Sequence, residues 1–390
     1  MGYTPASVAV VGSLNMDFIG LMEFHADDGT HRPMAEGYSV PGGHGGNQAV
    51  AVHRASHEKP DASDDGRKRS QSFTQSTLDF NFDVHVHLIA MVGDDKDGRG
   101  EDIRNKLEEN QINIEGVSTI SGVKTGYAHT DINASGVPRI RTFPGANGHL
   151  TADFVETWLP KTSPELILVQ LEIPLQTALA TIRWASSNKV PIIFNPAPVP
   201  IELVEFCDAK ELFKVDHLVL NRDCADTILQ LPKIAETEFQ EQSSSLIQTN
   251  YIGACGKLHK LGAKCVVITL GSRGAIASFL EPADMNGARD QQLLFFGAKL
   301  GVPEQTKTNK IVDETGASDA FIGAYAAEIL RQTRQGTSLD IGAALKVGIR
   351  AGGLTVAALG SMEAIPWRER LTGPDNSFIA AHGFEFGDDD

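Results

Sequence analysis

The chain has 390 residues, 34 of them basic and 50 acidic, so its formal charge is −16, and 41% of its residues are hydrophobic. These proportions are those of a soluble globular protein with a large core. They argue against a nucleic-acid-binding protein, because a phosphate backbone requires a basic face, but a small anionic ligand held by backbone N–H groups or a bound cation is compatible with them.

Short β-branched runs alternate with longer helical patterns along the chain. In chain order, strands are predicted at 7–13, 86–93, 166–172, 190–196, 217–221 and 265–271. Helices are predicted between and after them at 47–56, 98–110, 151–158, 175–188, 252–260, 320–332 and 336–358. Several of the strands are apolar at every position, which is typical of a sheet covered on both faces. The pattern predicts an α/β fold with a doubly wound, mostly parallel sheet and helices on both faces.

Two stretches, 18–40 and 123–145, break this alternation. The first contains short apolar pieces separated by turn-forming residues, and the second has the pattern of a β-hairpin. Strands inserted at both places would form a small separate sheet over the carboxyl edge of the main sheet, where it could act as a lid. The predicted organisation is a main domain of 1–17, 41–122 and 146–390, with a β lid of 18–40 and 123–145.

Three polar stretches are predicted to lie at the surface. Residues 56–83 are rich in Ser and Asp and have no clear period, so they are predicted to be a surface insertion. Residues 232–250 and 281–310 are predicted to be enlarged surface loops. The basic run RKR at 67–69 would suit a nuclear localisation signal, but the pattern favours a solvated loop over that signal.

Features that bear on location favour the cytoplasm. The four cysteines include no CxxC pair and match no zinc motif, which suggests a reducing compartment. No basic residue precedes Arg32, which argues against a targeting peptide. No apolar run approaches the roughly 20 residues that a membrane helix needs, so no membrane partner is expected.

The segment 311–330, IVDETGASDAFIGAYAAEIL, contains the strongest chemical signal. A short strand leads through Gly316, Ala317 and Ser318 into a helix that is apolar almost all round. The N-terminal N–H groups of such a helix favour anions. Asp319 stands beside them, where it could accept a proton during phosphoryl transfer to an alcohol. Taken alone, the segment favours the simpler interpretation that Asp319 is a helix N-cap.

Two further segments have ligand-binding character. The glycines of PGGHGGNQAVAV at 41–52 permit close backbone approach, and Asn47 can cap the helix that follows. Asn15 and Asp17 fall at the carboxyl end of the first predicted strand, the edge at which open α/β sheets bind ligands. An Asp there can accept hydrogen bonds from two sugar hydroxyls, although ordinary turn roles explain each segment by itself.

Taken together and in order, these segments resemble the ribokinase-like sugar kinases of the PfkB carbohydrate kinase family, from about residue 7 to about residue 368. The matching pieces are VGSLNMD (11–17), GGHGGNQAVA (42–51), PGAN (144–147), QLEIP (170–174), NPAP (195–198), TLGSRG (269–274), DETGASD (313–319) and IPWR (365–368). The resemblance implies the fold of that family and ATP-dependent phosphorylation of a sugar. NPAP and TLGSRG point to D-ribose and its 5-hydroxyl.

The resemblance also implies a role for individual residues. Asp319 would be the catalytic base, and Gly316, Ala317 and Ser318 would form an anion hole. The sugar would contact Asn15, Asp17, Gly42, Gly43, Asn47, Glu172 and Asp319. ATP would contact Asn221, Thr269, Gly271, Ser272, Gly274 and Ser318. Mg²⁺ would accompany ATP, and an activating K⁺ would lie near Asp313, Thr315, Thr355 and Gly360.

Three positions depart from the pattern of the family. Cys224 replaces the Glu of an NxxE motif, and Cys lacks the oxygen that helps to place the Mg²⁺ shell. Asp223 could supply that oxygen from the neighbouring position. Ser318 replaces a Gly of GAGD, and its Cβ restricts backbone positions with positive φ. His44 replaces the basic residue of GGKGAN.

Two other functions stay open at this point. One is a related kinase that acts on another sugar or on a nucleoside. The other is a ribose-binding regulatory protein with weakened catalysis, which Cys224 and Ser318 suggest. A homodimer formed through the lid is also expected, because the exposed edges of a small sheet pair readily.

Overall fold

A computed structural model of the chain provides the secondary structure. It describes residues 4–21, 36–60, 83–132, 138–204, 209–231, 236–242, 244–280, 291–298, 311–372 and 379–382. The strands are β1 (Ala6–Val11), β2 (Asn15–Leu21), β3 (Glu36–Gly42), β4 (Val84–Gly93), β5 (Val117–Ile120), β6 (Gly126–Ile132), β7 (Pro138–Phe143), β8 (Leu166–Gln170), β9 (Ile192–Asn195), β10 (His217–Asn221), β11 (Cys265–Thr269), β12 (Ala275–Leu280), β13 (Gln291–Ala298) and β14 (Ile379–His382). The helices are α1 (His44–Ser56), α2 (Arg99–Glu109), α3 (Ala152–Thr162), α4 (Leu175–Asn188), α5 (Arg222–Ile228), α6 (Glu236–Glu241), α7 (Ser244–Leu261), α8 (Ala317–Gln335), α9 (Ile341–Thr355), α10 (Ser361–Ala364) and α11 (Arg368–Leu371).

The main sheet has ten strands within the described residues, in the order β14-β13-β12-β11-β10-β9-β8-β1-β4-β5. Seven neighbouring strands of this sheet pair in parallel, in the order β11-β10-β9-β8-β1-β4-β5. Strands β12, β13 and β14 extend the sheet in antiparallel fashion. The prediction of a mostly parallel α/β sheet is therefore confirmed.

Helices cover both faces of this sheet and enclose an apolar cluster on each side. In β1, Val8 and Val10 belong to the cluster beneath α1, α8 and α9, whereas Ala9 and Val11 belong to the cluster beneath α3, α4 and α7. All four side chains are fully buried. Successive side chains of a strand point to opposite faces, so a strand covered on both faces is apolar at every position.

A separate four-stranded sheet, in the order β3-β2-β6-β7, corresponds to the predicted small sheet. Its strand β2 begins at Asn15 and pairs in parallel with β6, so that Asn15 lies opposite Gly126. Asn15 and Asp17 follow the carboxyl end of the first strand of the main sheet, but they lie in β2 of the small sheet. β1 ends at Val11, and the chain enters the small sheet after three further residues. The predicted domain boundary after residue 17 therefore falls inside β2.

Two of the predicted surface loops contain regular structure. Helix α6 and the start of α7 occupy part of 232–250, and Ile247 is fully buried. Strand β13 lies within 281–310 and pairs with β12 of the main sheet. At least one apolar residue of these stretches, Ile247, is therefore part of the packed core. Most of the predicted insertion, 61–82, lies outside the described residues, as do the RKR run and parts of the predicted lid at 22–35 and 133–137. Among the described helices, none combines the length and apolar character needed to cross a membrane.

Candidate active site

Asp319 lies in the first turn of α8, and its residue is 2% exposed. The residue that precedes the helix is Gly316, which has a φ of +77° and whose position would place a Cβ 3.0 Å from the Cα of Ser361. Glycine is therefore required at 316, whereas Ser318 is already helical. The backbone restriction anticipated at Ser318 does not arise. The first N–H groups of α8 have no partner within the helix, although that of Ala317 bonds to the carbonyl of Glu314 at 3.2 Å.

Helix α1 holds the Asp319 carboxylate through three side chains on one face. His44 Nδ1 lies 2.9 Å from Oδ1, Gln48 Nε2 donates to the same oxygen at 2.9 Å, and Asn47 Nδ2 donates to Oδ2 at 2.9 Å. Positions i, i+3 and i+4 of a helix share a face, which explains how one helix supplies all three groups. Gly43, with a φ of +89°, turns the chain into this helix.

Glu172 lies at the centre of a second group of hydrogen bonds. It accepts from the Asn15 side chain at 3.2 Å, from the backbone N–H of His44 at 3.2 Å and from the Ser13 hydroxyl. Asn147 in turn donates to the Asn15 Oδ1 at 2.8 Å. These contacts bring together the connection between β1 and β2, the start of α1, the end of β8 and the PGAN segment.

Asp17 completes a cleft that is rich in carboxylates. Its residue is 5% exposed, and a Cβ added at Gly42 would lie 2.0 Å from the Asp17 Oδ2, so only glycine fits against it. Burial, and then the charges of Glu172 and Asp319, raise the pKa of Asp17 well above its ordinary value. Closely spaced carboxylates in a polar cleft are strong acceptors for sugar hydroxyls.

His44 is the positive group of this cleft. Although burial opposes its charged form, the carboxylates of Asp319 and Glu172 raise the pKa of His44 from 6.5 to about 10. The imidazole is therefore protonated at neutral pH and donates to Asp319. It retains some access to solvent, because its side chain is 28% exposed.

His44 should make the stability of the protein depend on pH. A histidine whose pKa rises on folding stabilises the protein fully below its unfolded pKa of 6.5, and this stabilisation is lost as the pH rises through about 10. Between these limits the free energy of unfolding should fall by roughly 3 kcal/mol more in the wild type than in His44→Gln. Urea denaturation at several pH values measures this, with the exposed His149→Gln as control. Parallel pH profiles of wild type and His44→Gln would contradict the assignment.

The residues predicted to contact ATP lie further along the carboxyl edge of the same sheet. Asn221 ends β10 and lies opposite Thr269, which ends β11. Gly271 and Gly274, in the turn that follows β11, have φ values of +57° and +93°, and Ser272 lies between them.

Cys224, which replaces the Glu of the NxxE motif, lies in α5, the helix that begins directly after Asn221. The Asn221 Oδ1 accepts from the N–H of Cys224 at 2.8 Å and so caps α5. Cys224 is buried, and burial raises the pKa of its thiol to about 12. The Asp223 side chain is 81% exposed and pairs with Arg222 at 3.4 Å. The Asp223 carboxylate thus faces solvent on the surface of α5, whereas the Cys224 thiol is buried.

The four residues predicted to lie near K⁺ divide into two groups. The fully buried Asp313 accepts from the N–H groups of Thr315 at 2.9 Å and Gly360 at 3.0 Å. The Thr315 Oγ1 is buried, and the described residues offer it no hydrogen-bond partner. The Thr355 hydroxyl instead donates to the carbonyl of Ala351 in its own helix, at 2.9 Å. Within the described ranges, no group of three or more His, Cys, Asp or Glu side chains is arranged to hold a metal ion.

Several residues of the site were not predicted individually from the sequence. Gln48, Gln170 and Asn195 connect to Asp319 through hydrogen bonds between side chains, and Ser13 contacts Glu172. Each belongs to a matching motif, namely NQAVA, QLEIP, NPAP or VGSLNMD. The motifs were therefore the available signal, but only the packing shows that these side chains meet.

The chain is similar to known proteins in sequence and in fold. A family model described as pfkB family carbohydrate kinase matches residues 5–368. Ribokinase from Schizosaccharomyces pombe is 28% identical over 367 residues, which cover 92% of this chain and 95% of that protein. The structure of ribokinase from Giardia lamblia has a TM-score of 0.69 at 21% identity, with coverage of 94% of this chain and 98% of that one. Ribokinase from Cryptococcus neoformans var. grubii, in complex with ADP, has a TM-score of 0.67 at 24% identity and the same coverage. At these identities the two structures bear on the fold alone.

Proposed function

The chain belongs to the pfkB family of carbohydrate kinases, and we propose that it transfers the γ-phosphoryl group of ATP to the 5-hydroxyl of D-ribose. One observation carries the proposal: Asp319 stands at the N-terminus of α8 and is held by three donors beside a cluster of hydroxyl-binding groups. A base next to an anion-binding helix terminus is what phosphoryl transfer to an alcohol requires.

The sugar would lie among the groups at the base of the small sheet. Asp17 and Glu172 supply carboxylate oxygens, and the Asn15 amide is held between Glu172 and Asn147. The Asn47 Oδ1 is buried without a partner among the described residues, so it can accept a hydroxyl. The ribokinase name of the Schizosaccharomyces pombe relative supports D-ribose as the acceptor.

In the proposed reaction, Asp319 removes the proton from the 5-hydroxyl as the hydroxyl oxygen attacks the γ-phosphorus. The bond between that phosphorus and the bridging oxygen of ADP breaks, and ADP leaves with the electron pair. The N–H groups at Gly316, Ala317 and Ser318 would stabilise the charge on the transferred group. The small sheet would close over the sugar and exclude water, which limits wasteful hydrolysis of ATP.

Cations are expected to compensate for the acidic character of the chain. Mg²⁺ is usually held by substrate phosphates and water rather than by a protein cage, so it would enter the site together with ATP. It would neutralise charge on the nucleotide. For K⁺, hard oxygen ligands would come from the Asp313 carboxylate and from the Thr315 hydroxyl, which has no hydrogen-bond partner among the described residues.

A homodimer through the lid is part of the proposal. β7 is an edge strand of the small sheet in the order observed. It exposes Ile140 and Phe143, whose exposed fractions are 54% and 45%. Large apolar side chains on a sheet edge favour pairing with a second copy.

The test is release of ADP from Mg·ATP in the presence of single acceptors: D-ribose, 2-deoxy-D-ribose, D-fructose and adenosine. D-Ribose should give the highest kcat/KM, chelation of Mg²⁺ should abolish turnover, and replacement of K⁺ by Li⁺ should lower kcat several-fold. A preference for another acceptor would transfer the assignment to the related kinase. Binding of D-ribose without ADP release would favour the regulatory protein.

A further inference from the structure

Three buried amide side chains connect Asp319 to the interior of the main sheet. Gln48 Nε2 donates to Asp319 Oδ1 at 2.9 Å and contacts Asn195 Oδ1 at 3.3 Å. Gln170 Nε2 donates to Gln48 Oε1 at 2.6 Å. Asn195 Nδ2 donates to the carbonyl of Val219 at 2.9 Å. Gln48 and Gln170 are fully buried, and Asn195 is 1% exposed.

The two ends of this chain determine the orientation of each amide. Ionised Asp319 can only accept, so the NH₂ group of Gln48 must face it, and the Gln48 oxygen must then face the NH₂ group of Gln170. At the other end, the carbonyl of Val219 requires the NH₂ group of Asn195, which leaves the Asn195 oxygen for the second N–H of Gln48. If any of these amides were flipped, two donors or two acceptors would face each other.

The hydrogen bonds also distinguish the two oxygens of Asp319. Oδ1 receives His44 and Gln48, whereas Oδ2 receives Asn47. A carboxylate oxygen offers about two lone-pair positions, so Oδ2 is the oxygen with capacity for a further proton.

Packing alone does not explain the three amides. Apolar side chains of similar volume would fill the sheet interior without the cost of burying polar groups. Gln170 and Asn195 end β8 and β9, and their hydrogen bonds converge on Gln48. This arrangement fixes the direction of the Gln48 N–H group that donates to Asp319.

We infer that Gln48, held in place by Gln170 and Asn195, is a positioning residue that orients the Asp319 carboxylate so that Oδ2 faces the acceptor hydroxyl. This inference rests on the proposed function, in which Asp319 is the base. His44 differs from Gln48, because its ring is partly exposed to solvent, whereas the Gln48 amide is fully buried.

The chain of amides is tested by asking whether the losses of kcat in two single variants add up in the double variant. Gln48→Met keeps the volume but removes the donor, and it should lower kcat about 30-fold with little change in the KM for the sugar. Gln170→Met, which does not touch Asp319, should lower kcat about 5-fold, because Gln48 loses its orientation. The double variant should be no slower than Gln48→Met, since Gln170 acts only through Gln48. A loss of about 150-fold in the double variant, as independent effects predict, would overturn the inference.

A pH profile tests the contact between the side chain at position 48 and the base. Gln48→Glu places a second carboxyl against Asp319, so the pair should share a proton and the acid limb of kcat should move up by about one pH unit. The other charged groups around the cleft, His44, Asp17, Glu172 and Asp313, are the same in every variant. An acid limb that stays in place would count against the inference.

The control for lost stability is Thr181→Val. The Thr181 hydroxyl is fully buried and donates to the carbonyl of Thr177 within α4, away from the cleft. The Thr181→Val substitution should lower the melting temperature without changing kcat. Turnover by the wild type separates the two proposals. If the wild type is active but its variants lose activity additively, only the positioning role is refuted. If the wild type turns over none of the acceptors, both proposals are refuted.

Discussion

Replacement of Asp319 by Asn is expected to lower kcat about 10³-fold and to change the KM for the sugar by less than about threefold. Asn has nearly the same shape but cannot accept a proton. Sugar affinity should persist, because Asp17, Asn15 and Glu172 are intact. The loss should appear in the chemical step, which single-turnover measurement with Mg·ATP resolves.

The matched control for Asp319→Asn is Asp340→Asn. Asp340 caps α9 through a hydrogen bond to the N–H of Ala343 at 2.9 Å, and Asn caps helices equally well. It removes the same charge at a helix N-terminus that does not belong to the cleft, and kcat should be unchanged. Turnover by Asp319→Asn within about tenfold of wild type would show that another group accepts the proton.

The second large effect is expected at Asp17. Asp17→Ala should raise the KM for the sugar about 100-fold, because two charge-assisted hydrogen bonds to hydroxyls are lost, each contributing about 1.5–3 kcal/mol at most. At saturating sugar, kcat should fall much less, since Asp319 and its three donors are untouched. Steady-state kinetics over a wide range of sugar concentration separates the two parameters.

The same substitution should stabilise the protein without its substrate. A carboxyl whose pKa is raised on folding destabilises the native state at every pH above its unfolded value, and burial is the first cause of this shift at Asp17. The free energy of unfolding at pH 7 should therefore rise in Asp17→Ala. Asp131→Ala, which removes an ion pair with Arg141 from the same small sheet, should alter neither KM nor stability appreciably. An unchanged KM in Asp17→Ala would remove Asp17 from the sugar site.

Much of the fold could be predicted because burial on both faces leaves a local signature. Strands such as β8 and β10 are continuous apolar runs between helices of ordinary period, and they were recognised within a few residues. Strand β13 was missed because its signal lies in pairing with β12, and pairing is not visible within one short segment. Helix α7 was recognised only in its second half, because Ser and Gln residues obscure the apolar face of its first turns.

The site was predictable in its parts but not in its connections. Asp319, Asp17 and Glu172 were identified because their motifs occur together and in order, and the structure brings them into one cleft. Asp223 had been considered as a substitute for the Glu replaced by Cys224, but its position on α5 turns the carboxylate to solvent. One residue of displacement on a helix rotates a side chain by about 100°, so neighbours in sequence do not share a direction.

The sequence by itself determined the class of fold, the family and the chemical groups available, because hydrophobic period and motif order are local properties of the chain. The tertiary structure alone decided the position of Asn15 and Asp17 in the small sheet, the imidazolium state of His44 and the three donors on Asp319. These depend on burial and on distances of about 3 Å between residues far apart in the chain, such as the 272 positions between Asn47 and Asp319. Hydrogen bonds and pKa values respond to such distances, and only the packed chain sets them.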